Sequence, residues 1–199
     1  VSMVDYIGCS FTDKRIFSEI GKGLAEGARQ GEISISGGEI SQIKEIINGV
    51  DLIGACIGHV PLDKVNTGKD IQPGNIIIGL ASSGVHSNGL TLARKILLGE
   101  TREEQERNIN KFEKRLGRTL GEELLEPTSI YVKPIMEMLE DSINLKAMVH
   151  ITSGGYSNLN RVENDNIRFV INPSPPVPEV FKLIQEQGEV SDAEMYEVF

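Results

Sequence analysis

The chain is 199 residues long, with 20 basic and 29 acidic side chains and a formal net charge of −9. It is 39% apolar and 25% charged, the proportions of a globular protein rather than a disordered one. The acidic excess argues against non-specific nucleic-acid binding, which rests on Lys and Arg neutralising phosphates, and no run nears the roughly 18 consecutive apolar residues of a membrane helix.

The first residues, Val-Ser-Met-Val-Asp-Tyr, lack the basic and apolar regions of a signal peptide. They also lack an initiator Met, so the chain reads as processed or as a piece of something longer. Cys9 and Cys56 form no disulfide framework and are expected as two small buried hydrophobes in a reducing cytosol. Three scattered histidines, His59, His86 and His150, make no structural zinc pattern.

Val1 to Cys9 reads as a strand with Asp5 at its centre. Thr12 or Asp13 is a good N-cap, and Ile16, Phe17, Ile20, Leu24 and Ala28 keep helical spacing up to Gln30-Gly31. Ile33 to Ser36 is a short strand entering a loop at Gly37-Gly38-Glu39, and Val50 to Val60 is a further strand. Pro61 to Pro73 is polar and glycine-bearing and reads as an interdomain connection.

Ile76 to Leu80 has the composition of a buried strand. The loop from Ala81 to Gly89 follows, then a helix with Leu90, Ala93, Ile96 and Leu97 on one face. Glu100 to Leu120 reads as a solvated helical face. A helix is expected through Leu139, with Pro134 near its start or at a kink. Strands are expected at Lys146–Ile151 and Ile167–Ile171, and helices at Glu179–Gln187 and Asp192–Phe199. Strands alternating with helices place the chain in a mixed α/β or α+β class.

Three glycine-bearing loops each follow an expected strand, and such loops expose backbone N–H groups to an anion. In Ser82-Ser83-Gly84-Val85-His86-Ser87-Asn88-Gly89 the following helix adds its N-terminal amides and dipole. This loop also holds His86, the one side chain type that switches charge near neutral pH. Two readings stay open: a phosphate cradle, or an ordinary turn with Ser87 or Asn88 capping the helix and a solvent-facing His86. Gly37-Gly38-Glu39 is either a Mg²⁺ site bridging to nucleotide phosphates or a turn with a solvated Glu39. Thr152-Ser153-Gly154-Gly155, with Asn158 and Arg161 beyond it, is either a phosphate-facing loop or a turn.

Several strings resemble one family. "PGNIIIGLASSGVHSNGLTLARKIL" is similar to the second-domain opening of the AIR synthase family, the phosphoribosylformylglycinamidine cyclo-ligases. "LLEPTSIYVKPIMEML", "AMVHITSGGYSNLNRV", "GKGLAEGARQGEISISGGE" and "AEMYEVF" resemble other segments of that family, in its order and over most of the chain. The resemblance implies an α+β, two-domain AIR-synthase-like fold: a partial N-terminal domain over 1–61, a linker over 62–74 and a truncated C-terminal domain over 75–199. It implies an ATP- and Mg²⁺-dependent enzyme that phosphorylates the formyl amide oxygen of formylglycinamidine ribonucleotide, so that an internal nitrogen closes the aminoimidazole ring of purine biosynthesis. A cytoplasmic homodimer, with no membrane or nucleic-acid partner, is implied as well.

By matched position the resemblance makes His86 the active-site histidine, and Ser82, Ser83, Gly84, Ser87 and Asn88 a phosphate site for the substrate. Gly37, Gly38, Gly154 and Gly155 would approach ATP, and Glu39 would hold the metal. Asp5 matches a family aspartate without an evident role. The chain departs from the bacterial pattern at Ile40-Ser41-Gln42-Ile43-Lys44, which looks archaeal and displaces a second carboxylate to Glu45. Ser153 replaces a glycine. The family's aspartate-rich nucleotide loop has no counterpart here, which implies that these 199 residues alone are inactive. The competing readings are a sister kinase acting on thiamine monophosphate or selenide, and a non-catalytic nucleotide-binding paralogue. The S-S-G-V-H-S-N-G loop favours the cyclo-ligase over the kinase, and an intact aspartate-rich loop in the full gene would count against the paralogue.

Overall fold

A computed structural model describes all 199 residues. The elements in chain order are β1 (Ser2–Cys9), α1 (Lys14–Gly31), β2 (Ser34–Gln42), β3 (Val50–Ile57), α2 (Leu90–Leu98), α3 (Arg102–Asn108), β4 (Phe112–Glu113), β5 (Arg118–Thr119), α4 (Leu120–Leu124), α5 (Val132–Glu140), α6 (Glu179–Gly188) and α7 (Asp192–Val198). Short 3-10 turns lie at Leu62–Lys64 and Gly155–Arg161. The class is mixed α and β, as the alternation of patterns implied. The chain forms two compact units, one made of Val1–Val65 with Ile130–Leu145, the other of Asn66–Ser129 with Lys146–Phe199.

The first unit holds a three-stranded sheet in the order β2-β1-β3. β1 runs parallel to β2 and antiparallel to β3, and α1 makes the crossover that a parallel pair requires. Asp13 caps α1 by accepting the Arg15 amide at 2.8 Å. The helix ends at Gly31, with Glu32 in the left-handed region at φ 51°. α5 lies against α1. Pro134 falls in the first turn of α5, where its missing N–H costs no helical bond.

The register corrects the sequence at one informative point. Gly37-Gly38-Glu39 is no loop but the middle of β2, opposite Val4, Asp5 and Tyr6 of β1. The strand absorbs Ser36 as a bulge between the Met3 and Val4 pairings and then continues to Gln42. Asp5, in the central strand, is flanked by glycine on both sides, Gly38 of β2 and Gly54 of β3. Gly38 is there because nothing larger fits: a Cβ would lie 2.4 Å from Asp5 Oδ1 and 2.7 Å from the Asp5 carbonyl oxygen. The two cysteines also part company, for Cys9 is buried and Cys56 is exposed on β3.

The second unit is built around one apolar cluster of Val85, Ala93, Leu97, Leu98, Leu120, Leu124, Val180, Leu183 and Ile184. α2, α4 and α6 each contribute one face to it, following their helical periodicity. The charged stretch 100–120 is not one helix. α3 is capped by a reciprocal Thr101/Glu104 capping box, and a two-residue hairpin of β4 and β5 follows. The expected strands at Ile76–Leu80, Lys146–Ile151 and Ile167–Ile171 are absent. Ile76 is 86% exposed and Ile78 71% exposed, so the run that looked like a buried strand is solvated.

Candidate functional site

The loop before α2 is fixed from below by Val85, which is 2% exposed and belongs to the core cluster. With Val85 held inward, its neighbours divide. Gly84 is buried, His86 and Asn88 are half-buried, and Ser82 and Ser87 are exposed. Gly84 sits at φ 153°, and the nearest atom to a Cβ there would be Glu123 Oε1 at 3.4 Å. Glu123 is thus a carboxylate beneath the loop, 7% exposed and paired with Arg118 Nε at 3.3 Å. Burial pushes its carboxyl above the ordinary glutamate value, and Arg118 only partly opposes this.

The cap of α2 is Gly89, in the left-handed region at φ 79°, and no side chain caps the helix. Neither Ser87 nor Asn88 is therefore spent on capping. The first turn of the nine-residue helix has no side-chain cap, and unpaired amides at a helix start attract anions.

His86 has a defined surround. Its Nε2 lies 3.1 Å from the Ser83 amide nitrogen, 2.8 Å from Ser83 Oγ and 3.5 Å from the Ser129 amide nitrogen. Ser83 Oγ also lies 2.7 Å from the Pro127 carbonyl. Burial, and secondly the charge of His150, hold the imidazolium below its ordinary pKa, so the ring is neutral at physiological pH.

The turn at Thr152-Ser153-Gly154-Gly155 is joined to this loop through Asn88. Asn88 Nδ2 donates to Thr152 Oγ1 at 2.6 Å, and Ser153 Oγ donates to Asn88 Oδ1 at 2.9 Å. From beneath, the buried Asn158 donates from Nδ2 toward the carbonyls of Thr152, Ser153 and Gly155. The amides of the glycine pair are engaged within the protein, Gly154 N–H with the Glu197 carbonyl at 2.8 Å and Gly155 N–H with the Thr152 carbonyl at 2.9 Å. A cavity of about 320 Å³ beside the following 3-10 turn is lined by Tyr156, Asn160, Arg168 and Phe169 among others, and none of the candidate residues borders it.

In the other unit, Gly37, Gly38 and Glu39 are all exposed on β2. Glu39 Oε1 accepts the Ile40 amide at 3.1 Å. No three His, Cys, Asp or Glu side chains gather into a metal-ligand cluster in either unit. A single exposed carboxylate still fits Mg²⁺, which takes one or two carboxylates and completes its shell with water and ligand phosphates.

The second unit thus brings together His86, Ser82, Ser83, Gly84, Ser87, Asn88, Gly154 and Gly155. Gly37, Gly38 and Glu39 belong to the first unit. Sequence reasoning missed Glu123, Pro127, Ser129, Thr152 as a partner of Asn88, and the inward role of Asn158. A polar residue inside an apolar helical pattern was the available signal for Glu123; Asn158 acts on the turn just before it, and Pro127, Ser129 and Thr152 depend on long-range contact.

Residues 72–199 match the family described as AIR synthase related protein, C-terminal domain. Over the whole chain there is 45% identity to a phosphoribosylformylglycinamidine cyclo-ligase of Pyrococcus furiosus, 44% to one of Methanopyrus kandleri and 41% to one of Methanococcus maripaludis strain C7. The chain covers 55–56% of those proteins, and so spans about half the length of the curated relatives it matches.

Proposed function

The chain belongs to the AIR synthase related family, matched over its C-terminal domain, and on that premise we propose that it is the part of an ATP-dependent cyclo-ligase that holds formylglycinamidine ribonucleotide while the aminoimidazole ring closes. The observation that carries this reading is the Asn88 bridge. It binds the histidine-bearing loop and the Thr152 turn into one polar surface above an uncapped helix N-terminus. A ribonucleotide needs such a surface, with amides for its phosphate and a neutral imidazole near the reacting amidine.

In this reading Ser82, Gly84, Ser87 and Asn88 hold the substrate phosphate by loop hydroxyls, the amide side chain and backbone N–H groups. His86 moves a proton or steadies developing charge during ring closure. Gly154 and Gly155 shape their turn rather than donate, because their amides are engaged internally. In the first unit, Gly37 and Gly38 offer bare backbone to ATP, and Glu39 holds Mg²⁺ together with the nucleotide's phosphates. Bound Mg²⁺-ATP supplies the phosphoryl group that activates the formyl amide oxygen. Positioning and charge neutralisation are the protein's share of such a step. A homodimer in the cytoplasm completes the proposal; no helix is long and apolar enough to cross a membrane.

The test is ADP release by the full-length protein with Mg²⁺-ATP, comparing formylglycinamidine ribonucleotide, thiamine monophosphate and selenide. Turnover with the ribonucleotide alone, greatly slowed by His86→Ala, is the expected result. Turnover with another substrate moves the protein to a sister kinase family. Silence with all three, from a folded protein that still binds ATP, makes it a non-catalytic paralogue.

A further inference from the structure

A serine hydroxyl has one hydrogen to give, yet Ser83 Oγ has two close partners, His86 Nε2 at 2.8 Å and the Pro127 carbonyl at 2.7 Å. The state of His86 decides how the conflict resolves. If Nε2 carried a proton, it could donate to Ser83 Oγ, and the hydroxyl would turn to Pro127. The Ser83 amide, 3.1 Å away, and the Ser129 amide, 3.5 Å away, would then each point an N–H at another N–H. Backbone amides cannot rotate out of such a clash, and unsatisfied donors in a part-buried site are costly. If instead Nε2 carries its single in-plane lone pair, the Ser83 amide and, more weakly, the Ser129 amide share it, and the Ser83 hydroxyl keeps its hydrogen for the Pro127 carbonyl. Every N–H and O–H around the ring then has an acceptor, which the other state does not allow.

We infer that His86 is held as the neutral tautomer protonated at Nδ1, with Nε2 turned inward as an acceptor of the Ser83 and Ser129 amides, and that the Ser83 hydroxyl is tied to the Pro127 carbonyl rather than serving as a ligand to phosphate. The inference rests on the reading of His86 as the proton-handling group and sharpens it. His86 presents an N–H donor from Nδ1, and its Nε2 is not the atom that takes a proton from substrate. The Ser83 hydroxyl is not turned to a phosphate, because both of its close partners are protein atoms. Burial and the charge of His150 act in the same direction, since both disfavour the imidazolium.

The test is long-range ¹H–¹⁵N correlation spectroscopy of the full-length protein with ring-labelled histidine and no ligand, the His86 signals being identified by their loss in His86→Gln. A pyrrole-type Nδ1 and a pyridine-type Nε2 at neutral pH are expected. In Ser83→Ala both backbone amides remain, so the ring keeps this tautomer. With the ribonucleotide, KM in Ser83→Ala stays within about twofold of the parent, because no phosphate contact is lost. A protonated Nε2 or an imidazolium in the parent protein overturns the inference. So does a Ser83→Ala variant with KM raised about tenfold or more, which would return Ser83 to the phosphate. The parent spectrum needs no substrate. The expected tautomer in a protein that ignores the ribonucleotide would uphold the inference and defeat the cyclo-ligase reading instead.

Discussion

Asn88 reaches Thr152 across 64 positions of the chain, donating from Nδ2 to Oγ1 at 2.6 Å. Its carbonyl oxygen meanwhile accepts from the neighbouring Ser153, so one amide side chain holds two loops in register. Its two plausible replacements separate structure from charge. Asn88→Ala removes both bonds and is expected to cost about 1–2 kcal/mol of stability. Asn88→Asp keeps an acceptor for Ser153, and Thr152 can rotate its hydroxyl to donate to the second oxygen. The aspartate variant should therefore melt near the parent, yet its negative charge beside the proposed phosphate should raise KM for the ribonucleotide at least about tenfold. Chemical denaturation and steady-state kinetics on both variants read this out. A parent-like KM in Asn88→Asp would remove the phosphate from this surface.

Gly37 and Gly38 are adjacent in sequence and alike in composition, but β-sheet register sets them apart. A Cβ on Gly38 would collide with the Asp5 carboxylate and with the Asp5 backbone carbonyl at 2.7 Å, an obstacle no rotamer relieves. A Cβ on Gly37 would meet nothing within 4 Å. Gly38→Ala should lose about 1–3 kcal/mol, the range for overpacked sites. Gly37→Ala should be neutral or slightly stabilising, because it reduces the freedom of the unfolded chain. Equal losses in urea titrations of the two would show that the β1–β2 register is wrong.

That glycine pair also marks where the sequence was legible and where it was not. Capping and periodicity are local, so Asp13 opening α1 and the apolar faces of α2 and α6 were readable from a few neighbouring residues. Whether two glycines form a turn or a strand depends on what lies opposite, here Asp5, more than thirty residues upstream. The same reason explains Ile76–Leu80. Its composition fits a buried strand, but a strand exists only if another strand accepts its hydrogen bonds, and none does so here. In the site, the loop that presents His86 could be read from residue type and order. The atoms that set the histidine's state, on Ser83, Pro127 and Ser129, could not, because the last two arrive from over forty residues away.

Glu123 allows a pH test of the buried carboxylate beneath Gly84. Its folded pKa is raised, mainly by burial, so the folded state binds this proton more tightly than the unfolded state. The group's stabilising contribution is then present below the ordinary glutamate pKa and is lost as pH rises through the raised value. Glu123→Gln keeps the shape and removes the titration. The melting temperature of the variant minus that of the parent should therefore increase between about pH 4 and pH 7. Other carboxylates cancel in that difference. A difference that falls with pH would mean that the Arg118 pair outweighs desolvation.

Arg115 supplies the opposite sign. From the turn between β4 and β5 its guanidinium forks onto α6, with Nη2 3.0 Å from Glu179 Oε2 and Nη1 2.5 Å from Glu186 Oε2. The two carboxylates stand seven residues apart, two helical turns, so one planar fork spans both. Arg115 holds the Glu186 carboxyl below its ordinary value; Glu179 is lowered first by Lys182 and then by Arg115. Depressed folded pKa values contribute stability above the unfolded pKa, and that stability is lost as pH falls through the folded values. Arg115→Gln should therefore melt slightly below the parent at pH 7, and the gap should close as pH drops below about 4. Arg115→Lys should recover only part of the gap, because a single ammonium cannot reproduce the fork. The groups are solvent-accessible, so added salt should shrink the effect as well. Melting curves at pH 3 and pH 7, with and without salt, decide it: a gap of equal size in all four conditions would show that Arg115 acts through packing of its stem and not through its charge.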